Sequence, residues 1–321
     1  MPRSVVSVGT FDGVHAGHAA LIARARSIAD RASGAEVVVL AFDPHPATRL
    51  HPESAPPRLG SFERRSELLR QAGADRVERL EPTSELLSQS PESFVESIAD
   101  RLAPIAFVEG PDFRFGKGRT GDTSVLASIG KRHGFAVDVV PPVAVALNDQ
   151  SVVTASSTIA RWLVQHGRVR DAWAVLTRPH ELTGRVVRGD RRGRGLGFPT
   201  ANLDTPCLPP ADGVYAGVAF LDDGRSFPAA VSVGSKPMFN GAARAVEASL
   251  LDAPTGDGPC LAGLPEYGWN LRIALVGWVR EQLRFESVDS LIAQMHRDCN
   301  RVRGIVARVS TPQPAAAGAH S

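Results

Sequence analysis

At about Thr177 the hydrophobic patterning of the chain changes kind, and that change restricts the fold to two joined architectures. Before it, apolar runs alternate with helical patterns. "SVVSVG" (Ser4–Gly9), "EVVVLAFD" (Glu36–Asp43) and "IAFVEG" are continuously apolar, as strands buried on both faces must be. Between them, "HAALIARARSIADRA" sets Leu21, Ile22, Ala25, Ile28 and Ala29 on one helical face. "SFERRSELLRQAG" predicts a helix with Ser61 as N-cap and Gly73 as its stop, and "PESFVESIADRL" predicts another. "FAVDVVPPVAVAL" reads as a late extended segment, and "SSTIARWLVQHG" (Ser156–Gly167) as a helix running from cap-like serines to a glycine. Buried strands alternating with helices predict an α/β fold with a doubly wound parallel sheet.

After Thr177 the strand-like pieces are short and no helix separates them. "LTGRVVRG", "GVYAGVAFLDDGRSFPAAVSVG", "AVEASLLD" and "LRIALVGWVREQLRF" are divided by Gly, Asp and Pro turns, with "DDG" (Asp222–Gly224) as a hairpin signal. This grammar predicts an antiparallel β-barrel. A terminal amphipathic helix, "SVDSLIAQMHRDCNRVRGIVARV", follows, and "STPQPAAAGAHS" has the composition of a disordered tail. The expected organisation is 1–177, 178–309 and a tail at 310–321, without internal repeats.

Composition narrows the functional classes. A chain of 321 residues with 43% hydrophobic and 22% charged residues can bury two cores. Its net charge of +2 argues against a protein that chiefly coats nucleic acid or an acidic membrane. Cys207, Cys260 and Cys299 lie far apart, which excludes a disulfide framework and suits free thiols in a reducing cytoplasm. No apolar run approaches the roughly 20 residues that span a bilayer. The N-terminus turns polar too soon for a secretory signal. A soluble cytoplasmic protein is expected, its oligomeric state left open.

Within the first half, "GTFDGVHAGH" (Gly9–His18) places two histidines at i, i+3 after a glycine-bearing turn. A lone H-x-x-H is by default packing or a solvated face. As a metal site the pair would recruit Asp12, with His45 of "FDPHP" as the other candidate; metal-binding helices, however, usually use i, i+4. As a phosphate site the stretch uses more of its residues. Strand, turn and helix N-terminus in sequence put free N–H groups and positive dipole at the carboxyl edge of the sheet, where α/β proteins bind ligands. Gly13 and Gly17 allow close approach to the backbone. The stretch resembles the H-x-G-H signature of the nucleotidylyltransferase superfamily, which moves a nucleoside monophosphate from a triphosphate and releases pyrophosphate.

Three further segments narrow the resemblance: "FDPHP" (Phe42–Pro46), "EGPDFRFGKGRTGD" (Glu109–Asp122) and "SSTIAR" (Ser156–Arg161). Together they resemble the adenylyltransferase domain of bacterial bifunctional riboflavin kinase/FAD synthetases, and the similarity runs in order along nearly the whole chain. It implies a Rossmann-like nucleotidylyltransferase domain followed by a riboflavin kinase-like barrel. On that resemblance His15, His18 and Arg161 are the catalytic candidates. Gly9, Phe11, Asp12, Gly17, His45, Asp112, Phe113, Phe115, Lys117, Arg119, Ser156, Ser157 and Thr158 are the nucleotide and flavin candidates. The phosphate of FMN would attack the α-phosphorus of ATP, aided by positioning and charge neutralisation, with Mg²⁺ accompanying the triphosphate. Ala160 stands where the family usually has isoleucine.

"GRVVRGDRRGRGLGFPTANL" (Gly184–Leu203) carries five arginines among glycines. An RNA-binding patch would look similar, but the near-neutral charge and lack of flanking aromatics speak against it. The stretch resembles the riboflavin kinase loop ending in "PTAN", which implies phosphate contacts at Gly193, Gly195, Gly197 and Pro199 and Mg²⁺ ligands at Thr200 and Asn202. No G-x-x-x-x-G-K-[ST] is present. "AVEASLLD" matches the family strand that carries the base for the ribityl hydroxyl, here Glu247. The sequence departs from the family at Ser232 (usually asparagine), Met238 (usually threonine), Gln282 (usually glutamate) and a long insert at 253–269. The expected function is ATP-dependent phosphorylation of riboflavin to FMN, then adenylyl transfer to give FAD, with riboflavin, FMN and ATP as small-molecule partners, no nucleic acid or membrane, and a homo-oligomer left open. The alternatives are FAD synthesis alone, with a silent or altered kinase half, or a flavin- or RNA-binding regulator.

Overall fold

The computed structural model describes residues 3–32, 34–189, 198–235, 244–254 and 261–310. Gly193, Gly195, Gly197, Met238, Cys260, residues 255–260 of the insert and the tail from 311 lie outside the described residues. The chain divides into two compact units, Met1–Arg161 with Ala174–Arg178, and Trp162–Trp173 with Pro179–Ser321. The patterning boundary at 177 assigns residues 162–173 to the first half; in the structure they belong to the second unit.

The first unit is built on a five-stranded parallel sheet in the order β3-β2-β1-β4-β5, with β1 Ser4–Gly9, β2 Glu36–Phe42, β3 Arg76–Leu80, β4 Pro104–Glu109 and β5 Ala136–Val139. Chain order reverses between β1 and β4, which makes the gap at their carboxyl ends the topological switch point. The central strands read as apolar runs because both faces are covered. Val5 packs with Val37, Val39, Ile22, Ala25 and Ala29 on one face, while Val6, Val8 and Val38 meet Phe94, Ile98, Leu126 and Ile129 on the other. Helix Ala16–Arg31 contributes Ile22, Ala25 and Ala29 fully and Leu21 and Ile28 partly, the predicted face. Helix Phe62–Gln71 starts at Ser61, whose Oγ accepts the Arg64 N–H, and ends before Gly73. β3 escaped the sequence reading because "RVERL" is a half-exposed edge strand carrying three charged residues. "FAVDVVPPVAVAL" is two elements: β5, then β6 Ala144–Ala146, which pairs with β7 Val152–Thr154. Pro141 and Pro142 part them, as residues without an N–H end a ladder.

The second unit is a closed antiparallel barrel in the order β10-β11-β12-β9-β8-β13. Its strands are β8 His180–Val187, β9 Ala201–Asp204, β10 Gly213–Phe220, β11 Ser226–Ser235, β12 Arg244–Leu250 and β13 Asn270–Arg280. The β10–β11 hairpin turns at Asp222–Gly224 as predicted, with Gly224 at φ +87°. Leu182, Val186, Tyr215, Val231, Val233, Val246, Ala248 and Ile273 fill the interior. Alternation on β12 therefore turns Glu247 away from the core that Val246 and Ala248 enter. The terminal helix, Val288–Ser310, packs Val302, Ile305 and Val306 against Val214, Val276 and Val279.

Candidate active sites

Gly9 ends β1 at the switch point, and the turn that follows reaches helix Ala16–Arg31 with His15 as its N-cap and His18 in its first turn. His15 Nδ1 accepts the Gly17 N–H at 3.1 Å. That bond leaves Nδ1 unprotonated, so neutral His15 carries its proton on Nε2 and presents a donor. His45 repeats the device: its Nδ1 accepts the Ala47 N–H at 3.0 Å. The His15 and His18 rings stack at 3.6 Å, and Phe11 tilts against His18 at 5.0 Å. Burial lowers the His15 pKa from 6.5 to about 4, against the pull of Asp112 and with help from Arg161 and Arg178. Burial, then its stacked neighbour His15, also holds His18 well below its ordinary value. Both imidazoles are therefore neutral at pH 7.

Three arginines fix this turn from outside. Arg65, buried in helix Phe62–Gln71, donates to Thr10 O and Phe42 O, tying the carboxyl ends of β1 and β2, and pairs with Asp43 at 2.7 Å. Arg161 bonds Asp12 Oδ2 at 2.7 Å and Pro57 O at 2.8 Å. Arg178 donates to Gly13 O at 2.6 Å and Val14 O at 3.0 Å. Asp12 also accepts the Leu59 N–H at 3.1 Å, and Ser157 Oγ donates to Asp12 O at 2.7 Å. Asp12, Arg161 and Ser157 thus support the turn itself, while Ser156 Oγ caps helix Ser157–Gln165 through the Ile159 N–H and Thr158 is exposed.

The segment after β4 forms the facing wall. Asp112 is exposed above Gly110, and Phe113 stacks on Phe115 at 5.2 Å, with Phe115 in the core. Phe115 and Gly121 close a small loop whose tip, Lys117–Arg119, is exposed. Arg119 and Arg161 both act on His45, whose pKa is lowered chiefly by burial. Asp122 is spent as the N-cap of helix Thr123–His133. Turn, His45 and loop line one sheet edge with neutral ring donors, backbone amides and exposed cations, a set suited to a triphosphate.

In the barrel, register brings the second set together. Glu247 stands opposite Asn202 of β9 on one side and Ser232 of β11 on the other. Thr200 and Pro199 immediately precede β9. Gln282 donates to Ser232 Oγ at 2.9 Å and to Val233 O at 3.1 Å, so two of the residues that depart from the family pattern bond each other beside Glu247. A Cβ on Gly189 would fall 2.1 Å from the Asn202 side-chain nitrogen, so the absent side chain at 189 is what leaves room for that amide.

The family profile described as FAD synthetase matches residues 1–157, and the one described as riboflavin kinase matches 176–306. A bifunctional riboflavin kinase/FMN adenylyltransferase of Escherichia coli K12 is 31% identical over 92% of this chain and 90% of its own. One of Pseudomonas fluorescens is 33% identical over 94% of this chain and 93% of its own. The chain belongs to the bifunctional riboflavin kinase/FMN adenylyltransferase family. It carries both domains, FAD synthetase and riboflavin kinase, over almost the full length of these relatives. A crystal structure from Streptococcus pneumoniae, described as a macrolide-efflux protein, matches with a TM-score of 0.80 at 28% identity over 94% of this chain and 95% of that one. The efflux wording is that protein's. Among the described residues of this chain no helix is long and apolar enough to cross a membrane.

Arg65, Arg178, Glu109 and Gly189 are functional candidates that sequence reasoning missed. Arg65 had a legible signal: it shares the buried helical face of Leu69 at i, i+4, where a charge needs a reason. Arg178 had none, because its carbonyl partners lie 164 and 165 residues away.

Proposed function

We propose that the N-terminal site joins AMP from ATP to FMN through His15 and His18, and that the barrel phosphorylates riboflavin with Glu247 as base. The observation that carries the first assignment is the Gly17 N–H to His15 Nδ1 bond, which fixes the Nε2–H tautomer, a neutral donor, at a helix N-terminus. A phosphate oxygen of FMN forms a bond to the α-phosphorus as the bond to the β-phosphate oxygen breaks, and pyrophosphate leaves. Neutral donors stabilise the charge that grows on the α-phosphate without a proton having to move. His45, Lys117 and Arg119 meet the leaving phosphates, Asp112 and Phe113 line the nucleotide and flavin side, and Arg161 acts by holding Asp12.

In the kinase half, the ribityl hydroxyl oxygen attacks the γ-phosphorus, Glu247 takes its proton and ADP leaves. Thr200 and Asn202 offer the hard oxygen donors that Mg²⁺ requires, and Gly189 leaves the Asn202 amide the space to point there. When bound, Mg²⁺ neutralises triphosphate charge. We set the division of labour at about residue 177 and take riboflavin, FMN and ATP as the small-molecule partners, without nucleic acid or membrane. Cys207 and Cys299 are buried free thiols, which suits a cytoplasmic setting.

Incubation with riboflavin, ATP and Mg²⁺ followed by chromatography tests this reading. FAD formed from riboflavin is expected; FAD formed only from supplied FMN would mean a silent kinase. No turnover of either flavin, with salt-sensitive RNA binding, would overturn it. The double variant His15→Ala/His18→Ala should accumulate FMN without FAD, and Glu247→Ala should make FAD only from FMN.

A further inference from the structure

Glu109, the last residue of β4, is a carboxylic acid that the reaction above does not use. It is 2% exposed and lies at the switch point, beside the strand that leads into the histidine turn. The β1–β4 ladder pairs Val5 with Ala106 and Val6 with Phe107, and its pairing ends there. N–H groups two residues apart along a strand face the same neighbour, so the next donor toward β4 is Val8. Its N–H goes to Glu109 Oε1 at 2.7 Å. On the other side, the Glu109 backbone oxygen accepts the Val140 N–H, so β4 itself stays in the sheet. The two strands part above Val6 and Phe107, and one side chain spans the gap.

The geometry points to Glu109 as a positioning residue for adenylyl transfer: its side chain replaces the missing ladder bond at the switch point and fixes where β1 delivers the turn carrying His15 and His18. The inference rests on the adenylyltransferase reading of that turn. Its protonation state fits the task. Burial pushes its carboxyl well above the ordinary range, and Asp112 pushes it in the same direction, which favours the uncharged form beneath substrates that are all anions. An aliphatic residue would strand the Val8 N–H inside the sheet; an ionised one would repel the phosphates.

The test is steady-state FAD formation from FMN and ATP by Glu109→Gln and Glu109→Val, with FMN formation from riboflavin in the same preparation reporting fold and concentration. E109Q keeps an acceptor oxygen and no charge, and should keep kcat and both KM values within about twofold. E109V should lose kcat by about tenfold or more, since misplacing a reacting group by about 1 Å can cost 100-fold, with KM values little changed. Should E109V fail to fold, as loss of both activities would reveal, Glu109→Asp carries the test. One methylene shorter, it withdraws the oxygen from Val8, and FAD kcat should fall while kinase activity holds. Unchanged kcat in E109V or E109D, or an E109Q defect as deep as that of E109V, overturns the inference. A wild-type chain that makes no FAD from FMN would instead refute the underlying reading.

Discussion

Replacing Gly189 with alanine should disable the kinase half while leaving the fold and FAD synthesis from FMN intact. The added methyl would sit 2.1 Å from the Asn202 side-chain nitrogen, 2.2 Å from its carbon and 2.3 Å from its oxygen. Ordinary contact begins at 3.4 Å, so the amide must retreat by 3.4 − 2.1 = 1.3 Å. Backbone conformation is not the obstacle, because Gly189 is not among the positive-φ glycines. The half-buried Asn202 amide lies outside the barrel core and can rotate away, so stability should change by less than about 1 kcal/mol. Catalysis has no such latitude: displacement of a ligand-bearing group by more than about 1 Å costs on the order of 100-fold in rate. Riboflavin phosphorylation, followed as FMN by chromatography over a Mg²⁺ titration, should fall by about that factor and shift to higher Mg²⁺. FAD formation from supplied FMN is the control. A variant with wild-type FMN formation and unaltered Mg²⁺ dependence would refute the assignment of Asn202 as a ligand held in place by the space at 189.

Other expectations concern the first unit. Arg178→Met should lower FAD kcat by about tenfold or more and cost about 2–4 kcal/mol, because it removes charge-assisted bonds to Gly13 O and Val14 O; urea unfolding and FAD assays check both, and kinase activity should survive. Arg65→Met should do the same through Thr10 O and leave buried Asp43 with only the more exposed guanidiniums of Arg58 and Arg79, so its unfolding midpoint should drop further than that of an exposed arginine variant. His15 also predicts a pH effect. It stays neutral in the fold down to about 4, whereas an unfolded histidine protonates near 6.5, so between these values the unfolded chain binds the extra proton. Stability falls as pH drops from 6.5 towards 4, with His15 contributing about 3 kcal/mol of that loss. Denaturant midpoints of wild type and His15→Ala should converge over this range, and parallel curves would contradict the burial described.

Local patterning carried most of the architecture. Strands buried on both faces announce themselves as Val-rich runs, and Ser61 with Gly73 marks a helix at both ends because each satisfies backbone groups the helix leaves open. What stayed hidden has no local signature. β3 is charged and lies at an edge, so its pairing with β2 depends on a neighbour rather than on its own apolarity. The histidine motif could be read as a phosphate turn, but the tautomer of His15 depends on one backbone N–H, and the support from Arg65 and Arg178 depends on contacts distant in sequence. Arg161 marks the limit most clearly. In sequence it is a cation near a helix start, suited to phosphate; in the structure its guanidinium is occupied by Asp12 and Pro57 O. Gln282 and Ser232, fifty residues apart, gave no sign that they bond to each other.

The ties on the histidine turn also set an order of events during synthesis. Asp12 and both histidines emerge first, Arg65 some fifty residues later, Arg161 about a hundred after that, and Arg178 last. Until then the histidine turn lacks the bonds to Gly13 and Val14, and long-range closure of this kind is slow compared with folding of the local helices. A fragment cut at residue 157, where the FAD synthetase match ends, would hold His15 and His18 and neither Arg161 nor Arg178. It would keep both histidines and lose two of the three arginines that tie their turn.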